Sequence, residues 1–146
     1  MSPSILLVPV DPLPPRSELD TLAVRLERAF GRAVRVTDPV RAPAAARLAP
    51  DRFAGEPVRA AIAATWGCGC RDRLVGVTAA KVVGDEEAGR ACGSVLVLSL
   101  ASGQTSGAPL RAVGRYLGLG DCRDPDCAMH PGGEAEELCR ACRERC

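Results

Sequence analysis

Residues 111–142 read RAVGRYLGLGDCRDPDCAMHPGGEAEELCRAC, and the fold is decided by how this stretch is read. Cys122, Cys127, Cys139 and Cys142 are spaced C-x4-C-x11-C-x2-C. Two close pairs joined by a short loop let four thiolates converge on one tetrahedral ion. Zinc suits four soft thiolates with no redox demand. With every ligand supplied by protein no place is left for water, so such an ion holds structure and does no chemistry. The segment 121–133 (DCRDPDCAMHPGG) has almost no apolar side chains. Hydrophobic burial alone would not fold it, and a bound ion would supply the missing free energy.

The flanks of this tail read as helices. Pro109–Leu117 is a short one ended by Gly118, and Glu134–Arg145 is a second. Further upstream, Ile5, Leu6, Leu7 and Val8 form a contiguous apolar run, so Ser4–Val10 reads as a buried strand. A proline-rich turn (Asp11–Pro15) follows. Ser17 offers an N-cap with Asp20 at the capping-box position, and Leu19, Leu22, Ala23, Leu26 and Phe30 recur at helical spacing up to Gly31. Ala33–Thr37 reads as a strand, 38–50 as a surface loop with three prolines, and Pro57–Trp66 as a helix. Gly67–Asp72 is a turn, and Arg73–Thr78 and Gly93–Leu100 are strands joined by an acidic, glycine-containing stretch. Strands alternating with helices give an α/β fold in a single domain: a small mixed sheet with packed helices and a C-terminal zinc knot. Residues 1–120 form the α/β core and 121–146 the four-cysteine tail.

The chain has 146 residues, long enough for one real core, and its 47% hydrophobic and 25% charged residues are globular in proportion. The net charge is +1, with acids and bases interspersed, so no field steers it to nucleic acid or to an anionic membrane. The opening MSPSILLVPV has a short apolar run and no basic n-region, which points to neither a signal peptide nor a span. The expected location is therefore cytoplasmic, where cysteines serve as ligands or free thiols rather than disulfides. Cys68, Cys70, Cys92 and Cys146 either build a second metal site or are plain thiols, and the pattern leaves both open.

The stretch from Arg111 to Cys142 resembles the archaemetzincin peptidases, which carry HExxHxxGxxHC, a second cysteine, a methionine two residues on, and a closing CxxC. The matches are Gly114, Leu117, Gly118, Leu119, Cys122, Cys127, Met129 at the Met-turn position, Cys139 and Cys142. ILLVPVDPL resembles the family's first strand, RLVGVT its central strand, and SVLVLSL the edge strand beside its substrate cleft. The resemblance implies a zincin-like, minimal metzincin domain with a cleft between a sheet edge and the helix that bears the zinc-binding histidines.

The departures from the family pattern fall at the catalytic site. The places of the two HExxH histidines hold Arg111 and Arg115, that of the glutamate holds Ala112, and that of the third histidine holds Asp121. Guanidinium has no lone pair to give and repels a cation, and alanine takes no proton from metal-bound water. Thr78 is followed by Ala79 where the family usually has an acid, and the loop between Cys127 and Cys139 is short. No catalytic residue is assigned, and the reading is a catalytically inactive pseudo-peptidase with one structural zinc and an unknown peptide or protein partner. Arg115, with or without Arg111, is expected to pair with Asp121 across the former site. Met129 is expected to pack beneath it, and His130, outside the helix, to be a satisfied or solvent-facing imidazole.

Two other readings stay open. One is an active zinc metallopeptidase that draws ligands from Asp121, His130 and Cys92, with a base from Asp85–Glu87. The other is a nucleic-acid-binding zinc module using Arg123, Arg140, Arg143 and Arg145. Neighbouring acids and the absence of an aromatic platform weigh against the second.

Overall fold

Strand β1 (Ile5–Val10) is buried along its whole length. Its contiguous apolar run is explained by its position, since an inner strand of a parallel sheet is covered on both faces. β2 (Val34–Val36) lies on one side of it and β5 (Arg73–Thr78) on the other, with β7 (Val95–Ser99) beyond β5. All three pairings are parallel. The computed structural model describes residues 4–66, 72–83, 95–101 and 108–146.

Alternate side chains of these strands feed two separate cores. Ile5, Leu7, Val75, Val77, Leu96 and Leu98 point to the face covered by α1 (Arg16–Phe30), α3 (Ala108–Tyr116) and the cysteine tail. Leu6, Val8, Val10, Leu74, Val95 and Val97 point to the opposite face, where Val58 and Ile62 of α2 (Gly55–Trp66) and Phe53 close the layer. Gly76 marks the tightest approach of helix to sheet. A Cβ on it would stand 2.5 Å from Cδ1 of Ile62, so a larger residue would force that side chain to shift.

A second, three-stranded sheet carries the antiparallel pairing. β3 (Arg47–Ala49) runs antiparallel to β4 (Arg52–Ala54), which runs parallel to β6 (Lys81–Val83). The two sheets together make the expected mixed β-structure, although 38–50 is not simply a loop. It holds a short 3-10 turn (Ala44–Ala46) and β3. Three-residue strands are too short to show alternation, and buried Phe53 is what anchors them.

Two local expectations are corrected. α1 begins at Arg16 with Pro15 at the cap, and no side chain of the described residues caps it. Asp20 binds Arg16 Nε at 3.0 Å instead of closing a capping box on Ser17. The last helix, α4, covers only Arg140–Arg145. Residues 134–139 are drawn out of helix because the Glu137 carbonyl accepts the Ala128 N–H at 2.8 Å, and the Cys139 N–H points to Cys127 Sγ at 3.3 Å. β4 and β6 have no counterpart among the expected strands, and β6 lies in the stretch expected to be only a connection. The remaining boundaries agree within two residues, while the turn at 67–71 and the residues 84–94 and 102–107 lie outside the described residues.

No helix among the described residues is long and apolar enough to cross a membrane.

Candidate metal centre and the arginine-bearing helix

The tail folds back on itself through backbone bonds that have little to do with apolar burial. The Cys122 N–H donates to the Met129 carbonyl at 3.0 Å, and His130 N–H to the Cys127 carbonyl at 3.0 Å. These contacts bring Cys122 and Cys127 under the start of α4, where Cys139 and Cys142 lie. All four Sγ atoms lie within 4.8 Å of one another. Cys122 and Cys139 are 3.7 Å apart. Thiolates about 2.3 Å from a tetrahedral ion stand roughly 3.8 Å from each other, so the cluster has the right size for zinc. Among the described residues it is the one grouping of three or more His, Cys, Asp or Glu side chains able to hold a metal ion.

The surroundings of the sulfurs are those of a charged centre. Cys127 Sγ faces the N–H groups of Met129 and Cys139 at 3.5 and 3.3 Å, and Cys142 Sγ faces an Arg145 guanidinium nitrogen at 3.3 Å. Burial nevertheless dominates for the inner pair. It pushes the Cys142 thiol up to about 12 against the pull of Arg145, and it also raises Cys127. Cys139 moves the other way, down to about 7, chiefly through a hydrogen bond from the Cys142 backbone. Clustered thiols this deep cannot all ionise without a cation among them, and a divalent ion removes the penalty.

Helix α3 lies over this tail. Gly114 faces Met129, which is fully buried, and a Cβ on Gly114 would collide with its sulfur. Burying the methionine contributes about 2 kcal/mol. Arg115 Nη2 meets Asp121 Oδ1 at 3.0 Å, both side chains about half exposed. Arg111 turns the other way and donates from Nη1 to the Gly133 carbonyl at 3.1 Å. Ala112 packs partly against the core. The expected Arg115–Asp121 pair is thus present, Arg111 is not part of it, and Met129 packs beneath the helix as expected. His130 is half-buried, and its Nδ1 is enclosed without a hydrogen-bond partner among the described residues. Of the expected satisfied or solvent-facing imidazole, Nδ1 is thus not satisfied, while the ring keeps part of its surface in solvent.

Cys92 and Asp85–Glu87, named for an alternative metal site, fall outside the described residues, as do Cys68 and Cys70. Asp121, named with them, is engaged by Arg115. Of the tail arginines, Arg140 pairs with Glu144 at 3.2 Å, Arg143 donates to the Leu138 carbonyl, and Arg145 covers Cys142. Two contacts go beyond the sequence reading above. One is Arg145 on Cys142, and the other is the Arg25–Glu136 ion pair at 2.8 Å that ties α1 to the tail. The i+3 spacing of Arg145 from Cys142 in a helix would have suggested the first.

Fold and site together define a small α/β protein with a four-cysteine cluster able to hold a metal ion beside helix α3. Solved structures share that fold. The chain superposes on the archaemetzincin of Methanopyrus kandleri with a TM-score of 0.70 at 19% identity, covering 98% of this chain and 92% of that one. The archaemetzincin of Archaeoglobus fulgidus, solved with malonate, gives 0.63 at 18% identity with both chains fully covered. A zinc-dependent peptidase of Methanocorpusculum labreanum gives 0.68 at 13% identity, covering 97% and 99%. The chain has the archaemetzincin fold. No family model matches the sequence, and no curated protein does.

Proposed function

We propose that this chain is a non-hydrolytic, cytoplasmic protein of the archaemetzincin family, held together by one structural zinc and offering its residual cleft to a peptide or protein partner. Cys122, Cys127, Cys139 and Cys142 hold the zinc, which supplies folding free energy and no chemistry. The observation that carries this reading is the Arg115–Asp121 contact. It joins two of the positions that the resemblance assigns to zinc-binding histidines, and Arg111, at the third, is turned to the Gly133 carbonyl. Guanidinium groups give no lone pair to a metal, and Ala112 cannot serve as the general base. The pair ties the end of α3 to the turn after it, as a shared ion would. β7 lies at one edge of the main sheet, opposite β2, and such an edge can take an extended peptide as a further strand.

Elemental analysis of the purified protein tests the reading. About one zinc per chain is expected, lost together with stability in Cys139→Ala. Peptide mixtures should remain uncut when zinc is added. Two zinc ions per chain, or cleavage abolished by a chelator, would overturn it and favour a peptidase with unconventional ligands.

A further inference from the structure

The four thiols differ in what surrounds them. Cys127 and Cys142 are fully buried, whereas Cys122 and Cys139 keep part of their surface in solvent. The two outer sulfurs are close neighbours at 3.7 Å although 17 residues separate them along the chain. A disulfide needs about 2.05 Å, so they have under 2 Å to close. The inner sulfurs are covered from the protein side, Cys127 by two backbone N–H groups and Cys142 by Arg145. An oxidant arriving from water meets the outer pair first, because reactivity follows exposure.

We propose that Cys122 and Cys139 form an oxidation site, at which a hydroperoxide links them as a disulfide and expels the zinc. This rests on the zinc reading above. One thiolate of the pair attacks the peroxide, the O–O bond breaks, and a sulfenic acid forms with release of water or alcohol. The second sulfur then attacks the sulfenic sulfur, the S–S bond forms and a second water leaves. Two electrons pass from the two zinc-bound thiolates to the peroxide, two protons from solvent complete the leaving water or alcohol and the second water, and nothing further is consumed. The ion then keeps only Cys127 and Cys142, two ligands of four, and dissociates.

The choice of pair decides what happens to the fold. A Cys122–Cys139 bridge encloses Cys127, Ala128 and Met129 in its loop, so the segment beneath Gly114 stays fastened after the ion has gone. A Cys139–Cys142 bridge would close only one turn of α4 and fasten nothing.

The test treats the zinc-loaded protein with hydrogen peroxide, follows zinc with a chromophoric chelator, and maps disulfides after alkylation. About one zinc released per peroxide consumed is expected, with Cys122 joined to Cys139, Cys127 and Cys142 recovered as free thiols, and the circular dichroism of the sheet retained. Cys146→Ser should leave both the rate and the linkage unchanged. A bridge between Cys139 and Cys142, any bridge through Cys127, or zinc retained under oxidation would overturn the proposal. So would a tenfold or greater slowing in Cys146→Ser. A protein that carries no zinc before oxidation would instead sink the metal reading itself.

Discussion

Gly114 and Met129 are fitted to each other so closely that α3 has room for no side chain at that point: a Cβ on Gly114 would overlap both Sδ and Cε of the methionine. The relationship couples the helix to the tail without any polar bond. Gly114→Ala should therefore destabilise the protein by about 1–3 kcal/mol, although alanine is the better helix former. For a chain of this length each kcal/mol lowers Tm by roughly 2–4 °C. Met129→Ala alone should cost about 2–5 kcal/mol. The double variant should lose less than the sum, because cutting the methionine back clears the space that a methyl group on α3 needs. Strictly additive losses by thermal denaturation would show that the two residues do not meet.

Removing the metal should act locally before it acts globally. Under a strong chelator, the amide protons of Cys122, bonded to Met129, and of Ala128, bonded to Glu137, should exchange fast. Amides in the β1–β5 ladder should stay protected under the same conditions. Equal loss of protection in tail and sheet would mean that the ion supports the whole molecule and not one layer.

The zinc-free chain should respond to alkali in a defined direction. Burial raises Cys142 from 9.0 to about 12, so above pH 9 the unfolded chain loses a proton that the folded chain keeps. Its contribution is intact below pH 9 and fades as pH rises, and Cys127, raised for the same reason, adds to the slope. Cys139, lowered to about 7, works the opposite way: its contribution is present above 9 and lost as pH falls toward 7. The urea midpoint of the metal-free protein should thus peak near pH 9 and drop beyond it, with a shallower drop in Cys142→Ala. Zinc-loaded protein, whose thiolates take up protons only on unfolding, should instead gain stability as pH rises toward 9 and show no drop beyond it. A metal-free midpoint that climbs above pH 9 would contradict this account.

Rebuilding the helix face tests how far the likeness to the peptidases reaches. Arg111→His, Ala112→Glu, Arg115→His and Asp121→His, combined in one chain, should bind a second zinc beside the four-cysteine site. A micromolar or tighter second site is the expected result by competition with a chelator. If only one ion binds, residues 111, 115 and 121 do not converge as the resemblance requires.

Much of this is legible in the sequence because it rests on short-range signals. The apolar runs at Ile5–Val8 and Val95–Leu98, the glycines at 31 and 118, and the four cysteines each announce themselves within a few residues. The Arg115–Asp121 contact follows from where the ligands of a related fold would stand. What escapes is set by tertiary partners and not by local pattern. The unwinding of 134–139 depends on Ala128 and Cys127, β3 depends on Phe53 and the strand beyond it, and Arg25 reaches Glu136 across the α1 face. Propensity favours helix through Glu134–Arg145, and tertiary bonds override it. The enclosed Nδ1 of His130 is likewise invisible in the sequence, since it follows from the path of the chain around Gly133.

The main sheet separates two apolar compartments, and the tail closes only one of them. A cell short of zinc would therefore not hold a random coil of this protein. It would hold a half-clothed one, with Ala128, Met129 and Leu138 and the α3 side chains they cover available to any passing greasy surface while the α2 side stays shut. Solubility, more than secondary structure, would register the shortage.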